Sequence, residues 1–290
     1  MELSENNVED IKVLKVWLEK NPHLPQNIDD TLLRRFLHTC NNSLEQAKSL
    51  IDIFFTIRSQ APEIFDDRDP TDKGIQDVLK ITDMIPLPKL TSKRYKVFVY
   101  RLTDGDIDKY NFQNAVKCFF MMADARMAKD PELPEGEVPI FDMSNTTLKH
   151  MTKVQLPIVK KYMMYTQEAH PVKLREIHVV NAPSYYDKIM SLFKPFIKHD
   201  VLQMIHFHAP NSETLFDYIP KELLPEEYGG TVGKIADLKK QWEQNMLDHR
   251  DYLMDPSRWK VDEYKRPTNN NNHGKQLFGI QGSFRSLSID

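Results

Sequence analysis

Tyr95-Lys96-Val97-Phe98-Val99-Tyr100 is the stretch on which the fold turns. It is a dense run of β-branched and aromatic residues, and such a run reads as a buried strand. Beyond it the pattern alternates. Helical spacing follows at Ala115, Val116, Phe119, Met122, Ala123 and Met127. A strand is then expected at 138–143, a helix near 156–168, a strand at 174–180, a helical stretch from Ser184 and a short strand at 204–207. Strands separated by long helices need crossover connections, so the fold class is α/β with a mostly parallel sheet flanked by helices. Residues 238–253 read as a last amphipathic helix.

Toward the N-terminus the grammar is purely helical. Ile11, Leu14 and Leu18 share one helical face, and Asn21-Pro22 ends it. Asp29 or Asp30 can cap a helix holding Leu32, Leu33, Phe36 and Leu37. Ser43 and Gln46 have the spacing of a capping box, ahead of Leu44, Ala47, Leu50, Ile51, Phe54 and Phe55. The expected organisation is an all-helical bundle over 1–88, an α/β domain over 89–254 and a tail over 255–290. The asparagines at 269–272 read as a flexible link. The apolar residues after them, among them Leu277, Phe278, Ile280 and Phe284, suggest a tail that docks back.

Composition narrows the function. The 290 residues carry a formal net charge of -3 with 28% charged residues, which argues against a general nucleic-acid binder. The first ten residues are polar and acidic and lack the basic start and apolar run of a secretory signal. No apolar run approaches the roughly 18–20 residues of a membrane span. Cys40 and Cys118 stand far apart in no motif and read as buried thiols in a reducing compartment. A cytoplasmic protein with at most peripheral membrane contact is expected.

A parallel α/β sheet raises the question of nucleotide binding, but the nine glycines form no phosphate-cradling loop after a strand. There is no G-x-S-x-G elbow either, since Ser283 lies in the tail. His206 and His208 are two apart on a strand and could face one ion, but no third ligand stands at a tell-tale spacing. No enzyme and no metal site are expected. Met121, Met122, Met127, Met143, Met151, Met163, Met164, Met190 and Met204 all fall in the α/β region. That fits a deformable apolar cavity as well as ordinary core packing.

An ordered set of motifs now resembles the CRAL-TRIO (Sec14-like) family. Thr31-Leu32-Leu33-Arg34-Arg35-Phe36-Leu37 looks like its N-terminal helical module, and Val138-Pro139-Ile140-Phe141-Asp142-Met143 like its strand ending in aspartate. The stretch from His170-Pro171-Val172 through Ile177-His178-Val179-Val180-Asn181-Ala182-Pro183 is similar to the family, as are Phe193-Lys194-Pro195-Phe196 and Ile205-His206-Phe207-His208. Leu223-Leu224-Pro225-Glu226-Glu227-Tyr228-Gly229-Gly230 resembles its ending. Order and spacing match over about 8–255. The likeness is to the tocopherol-transfer and retinaldehyde-binding subgroup, and 278–285 is similar to insect members, which implies an insect source.

The resemblance implies a helical bundle followed by a sheet whose helices enclose a lipid cavity under a mobile gate. The matching gate stretch is 184–202. Ile189, Leu192, Phe193, Phe196 and Ile197 lie on one arc of it, with Lys188, Lys194 and Lys198 opposite, and Pro195 is placed to begin a second short helix. Carried over by position, the cavity lining comprises Phe119, Met122, Ala123, Phe141, Val154, Tyr162, Tyr165, Thr166, His170, Val172, Leu174, Ile177 and Val179, closed by Ile189, Phe193 and Ile197. Tyr162, Tyr165, Thr166 and His170 are the polar groups that would orient a ligand.

Lys173 and Arg175 match a basic cluster through which some members recognise phosphoinositides, and Lys194 and Lys198 would add to membrane docking. Asp200, Met204 and Cys40 stand where the resembling proteins tend to carry basic residues. The implied function is that of a monomeric intracellular carrier of a tocopherol-, retinoid- or carotenoid-like molecule, with no other cofactor, that opens at anionic membranes. A lipid-sensing protein-interaction module without transfer activity is the alternative.

Overall fold

Asp29 shows how the first helices are set. In the computed structural model, which describes residues 5–130 and 132–267, its side chain accepts a hydrogen bond from Leu32 N at 2.8 Å. This satisfies one of the donors left over at a helix start. The helices are α1 (Glu5–Glu19), α2 (Asp30–Thr39) and α3 (Leu44–Gln60). Leu14, Leu33, Phe36, Ile51 and Phe54 retain no exposed surface. Phe36 meets Phe54 edge to face at 5.1 Å, a favoured aromatic geometry.

These helices and residues 256–267 belong to one compact unit. Arg58 places its guanidinium 4.2 Å from the Phe54 ring centre and 4.6 Å from that of Trp259. Arg266 bonds Asp52 at 2.8 Å and Thr56 at 2.9 Å. The segment expected to begin a separate tail at 255 therefore starts by packing on the helical bundle. The apolar end of that tail, from 277 on, lies outside the described residues.

The second unit runs from Ala61 to Asp255. Its elements are α4 (Pro62–Phe65), α5 (Lys73–Ile81), β1 (Thr82–Leu90), β2 (Tyr95–Leu102), α6 (Phe112–Lys129), β3 (Gly136–Asp142), α7 (Leu156–Glu168), β4 (Ile177–Val180), α8 (Tyr186–Phe193), α9 (His199–Leu202), β5 (Ile205–Phe207), α10 (Ile235–Asp248) and α11 (Arg250–Met254). The strands lie side by side in chain order. β1 is antiparallel to β2, and β2 to β5 are parallel.

β1 is the element that the sequence pattern hides, and the expected boundary at residue 88 falls inside it. Pro86 and Pro88 cannot donate to a ladder, which demotes the run as a strand. Here it sits at the sheet edge, with a register shift between Pro86 and Leu90, so the missing donors cost little.

Side chains alternate across a strand, and the pairing gives each face its members. Val99 pairs with Ile140, while Tyr100 pairs with Phe141 and Phe141 with Val179. One face carries Val97, Val99, Val138, Ile140 and Val180. Leu215, Ile219, Leu224, Ile235 and Leu238 cover it, and all ten are buried. Each such side chain contributes roughly 1.5–3 kcal/mol by leaving water.

The covering segment is shaped by its last motif. Gly229 adopts φ +76°, the left-handed region. A Cβ on Gly230 would lie 1.8 Å from Leu224 O, so only glycine fits. Tyr228 donates to Asp142 Oδ2 at 2.7 Å, which joins this motif to the end of β3.

Candidate functional site

The opposite face of the sheet is finished differently. Phe98, Tyr100, Pro139, Phe141, Ile177 and Ile205 point there, and each keeps surface that no protein atom covers. Rings from α6 and α7 lie over it. Tyr100 is 6.4 Å from Phe119 and 5.9 Å from Phe141, and Phe119 is 5.9 Å from Tyr162. Burial pushes the Tyr100 and Tyr162 phenols well above their ordinary range. Both rings nevertheless keep part of their surface uncovered by protein atoms.

The residues named from the sequence lie on several elements of this unit. Phe119, Met122 and Ala123 belong to α6, Phe141 to β3, Tyr162, Tyr165 and Thr166 to α7, and Ile177 and Val179 to β4. Val154 follows a 3-10 turn over Leu148–Lys153, and His170, Val172 and Leu174 lie on the connection from α7 to β4. Phe119, Ala123, Phe141, Val154, Tyr162, Val172, Leu174 and Ile177 are half-buried. Two polar residues are already engaged. Tyr165 is 0% exposed, with Phe65 at 4.7 Å, Phe120 at 4.8 Å and His170 at 5.6 Å, which leaves it no surface for a ligand. Thr166 donates into its own helix, to Tyr162 O at 3.0 Å. Tyr100 was not singled out, although its place beside Phe98 and Phe141 in the alternation marks it for the same face.

α8 carries Ile189 and Phe193, and Pro195 opens a 3-10 turn over Lys194–Phe196 with Ile197 at its end. The helix therefore breaks where the proline removes a donor. Gln167 of α7 grips the break from both sides. Its Nε2 donates to Phe196 O at 2.9 Å and its Oε1 accepts from Lys198 N at 2.7 Å. At the other end Tyr185 donates to Thr146 O at 3.0 Å, and the Tyr186 ring meets that of Phe207 at 4.3 Å, tilted by 47°. Ile189 is buried, while Phe193 and Ile197 are half-buried.

The basic residues form two groups. Lys194 and Lys198 are exposed on the segment after α8, and Lys198 pairs with Glu168 at 2.5 Å. Lys173 and Arg175 precede β4 and are both held by Glu135. Lys173 Nζ is 3.8 Å from its carboxylate, and Arg175 Nε donates to its backbone O at 3.0 Å.

A polar cleft of about 300 Å³ opens at the C-terminal ends of β2 to β4, lined by Arg101, Asp142, Ser144, Asn181, His208 and Tyr228 among others. Asp142 receives Ser144 N at 2.9 Å, Asn181 Nδ2 at 2.9 Å and the Tyr228 hydroxyl. Burial opposes its charge, but the bonds from Ser144, Asn181 and Tyr228 outweigh it and hold the carboxyl below its ordinary value. The network is internally satisfied and reads as a structural clasp.

His206 and His208 sit in a histidine cluster, not in a metal cage. His178 Nδ1 lies 3.0 Å from His208 Nε2, and His206 stacks on His178 at 5.2 Å. Among the described residues no group of three or more His, Cys, Asp and Glu could hold a metal ion. Among them also, no helix is long and apolar enough to cross a membrane. Cys118 is fully buried and its thiol is pushed up to about 12 by desolvation, so it is inert.

Comparison with known proteins agrees with this architecture. A family model described as CRAL/TRIO domain matches residues 82–230, and one described as Pinta-like, UBA domain matches residues 3–75. Clavesin-2 of Rattus norvegicus is 30% identical over 244 residues, covering 83% of this chain and 72% of the relative. The alpha-tocopherol transfer protein-like protein of Homo sapiens is 25% identical over 235 residues, covering 81% and 68%. The crystal structure of Sfh5 superposes with a TM-score of 0.51 at 14% identity, over 87% of this chain and 99% of that one, a likeness of fold.

Proposed function

Because the chain belongs to the CRAL/TRIO family, we propose that it binds one apolar small molecule on the open face of its sheet and carries it between membranes. The observation that supports this most is the contrast within single strands. Val99 and Ile140 are buried under the C-terminal segment, while their neighbours Tyr100 and Phe141 keep uncovered surface beneath α6 and α7. A ligand that fills such a space supplies the apolar contacts that the protein itself does not.

A molecule burying about 300–400 Å² of apolar surface gains on the order of 8–10 kcal/mol, from which ordering costs subtract. Tocopherol-, retinoid- and carotenoid-like molecules all have the required character. The lining named above, without the enclosed Tyr165, would hold the ligand, and α8 with the turn at Pro195 would act as the gate. Ile189, Phe193 and Ile197 face inward in this reading. Lys194 and Lys198 face an anionic membrane, with Lys173 and Arg175 as a second basic contact. Exchange then happens at the membrane surface and transport in the cytoplasm.

Vesicle-to-vesicle transfer of a fluorescent polyene tests the proposal. The protein accelerates transfer, and Phe193→Asp abolishes retention, because an unpaired carboxylate at the cavity mouth is costly. A protein that binds the polyene without speeding its transfer fits a sensing module and overturns the carrier reading. A Phe193→Asp variant that holds ligand as well as the parent removes α8 from the gate.

A further inference from the structure

His208 is tied to the start of α8 through its backbone and to the packed face through its side chain. Its N–H donates to Val179 O at 2.9 Å, and its carbonyl accepts from Ala182 N at 3.0 Å. Ala182 belongs to the short turn between β4 and α8. Asn181, beside it, has φ +53°, the left-handed region that asparagine tolerates. Phe207 pairs with Val179, points to the other side of β5 and meets Tyr186 of α8. Phe207 and His208 therefore tie the end of β5 to the hinge from which α8 departs.

The buried side chain of His208 sits in a chain of hydrogen bonds. Its Nε2 lies 3.0 Å from His178 Nδ1, its Nδ1 lies 2.8 Å from Thr214 Oγ1, and His178 Nε2 is 3.3 Å from Glu176 Oε2. Neutral rings satisfy this chain, with Thr214 donating to His208, His208 to His178 and His178 to Glu176. One added proton is accommodated by a change of tautomer: His178 then donates at both nitrogens, and His208 donates to Thr214. A second proton sets two N–H groups against each other, and the bond between the rings is lost. His206 adds a third imidazole, stacked on His178 at 5.2 Å.

The surroundings offer little to offset such charge. Tyr218 covers His206, His178 and His208 at 4.5, 5.0 and 6.0 Å. From β3 the register partner of His178 is Ile140. Arg101, Asp142 and Glu227 share the polar cleft with His208. Arg101 is bonded to Asp83, Asp142 to Ser144, Asn181 and Tyr228, and Glu227 to Ile235 N. Among the described residues, Glu176 bonds to His178 and Asp217 acts on His208 by charge alone. Burial holds both His178 and His208 below the ordinary histidine value in spite of these carboxylates.

We propose that His178, His206 and His208 form a proton-operated latch on the hinge of α8: neutral, they hold β5 and the turn at Ala182 together, and charged, they release the turn so that ligand exchanges faster in acid. This rests on the carrier reading and adds a trigger to it. The negative potential of an anionic membrane attracts protons as it attracts lysines, so the trigger acts where Lys194 and Lys198 dock.

The test follows release of a fluorescent polyene from the full chain into neutral vesicles by stopped flow, at pH 7 and pH 5 and constant ionic strength. Neutral vesicles remove membrane charge from the comparison. Release should be about tenfold faster at pH 5, because the opened cluster takes up protons in the ordinary histidine range and the closed one resists them. The far-UV spectrum should stay the same. His208→Gln should release at one rate at both pH values. In the parent, exchange of the Ala182 amide, corrected for its intrinsic pH dependence, should lose protection by a similar factor. A pH-independent release, an acceleration that His208→Gln keeps or that accompanies loss of the far-UV signal, or an Ala182 amide equally protected at both pH values would overturn the latch. If the polyene does not bind at all, the carrier reading fails, and the amide measurement still decides whether the histidines govern the turn.

Discussion

The two faces of one sheet have opposite finishes. On the first, Val97, Val99, Val138, Ile140 and Val180 pack in one core with the C-terminal segment and are all buried. On the second, Phe98, Tyr100, Phe141, Ile177 and Ile205 come from the same strands, one residue along, and remain partly uncovered. The first face is closed by chain that follows it in sequence, anchored by the Tyr228–Asp142 bond and by Gly230 against Leu224. The second lies beneath rings of α6 and α7. The difference teaches that one set of strands can present a packed face with one alternation of its residues and a partly uncovered face with the other.

Substitution at neighbouring positions sharpens this most. Ile140→Ala should cost the ligand-free protein about 2–4 kcal/mol, the range for a buried large-to-small change. Phe141→Ala should cost less than half as much, although it deletes a larger side chain, and should weaken ligand binding instead. Urea denaturation with and without a polyene separates the two. Equal losses in the ligand-free protein would mean that the faces are packed alike.

The histidines on the packed face give a pH signature. Desolvation lowers His178 to about 4, with His208 and His206 also lowering it and Glu176 raising it. The unfolded chain takes up the proton near 6.5 and the folded chain only near 4. Stability therefore falls as pH drops through that window, by on the order of 2–3 kcal/mol for this group. His178→Gln should flatten the dependence between pH 6.5 and 4. An unchanged slope would show that other groups govern it.

Smaller effects belong to the open face and its cover. Gln167→Ala removes two bonds to the break at Pro195, each worth about 1 kcal/mol. It should speed ligand exchange several-fold in stopped-flow measurements while leaving the urea midpoint nearly unmoved. Lys194→Ala with Lys198→Ala should weaken binding to anionic vesicles by roughly 1 kcal/mol per residue, and salt should abolish the difference. Lys173→Ala with Arg175→Ala should do less, because Glu135 engages both.

Much of the fold was legible because its signals are local. The capped helices, the run from Tyr95 to Tyr100 and the helix over Leu156–Glu168 each announce themselves within one turn or one alternation. β1 did not, since its prolines contradict a strand and only its place at the edge permits one. The return of Trp259 and Arg266 to Phe54 and Asp52 joins residues too far apart in sequence for any pattern to link. At the candidate site, the engagement of two polar residues was not legible from spacing. Thr166 is spent on its own helix and Tyr165 is enclosed, and neither outcome shows in residue type or spacing.

The most direct test of a ligand cavity on the open face is native mass spectrometry of the purified protein after exposure to a neutral polyene, followed by solvent extraction. The account predicts one apolar molecule per chain, released by extraction and lost in Phe193→Asp. A protein that takes up no apolar molecule at any concentration would contradict it.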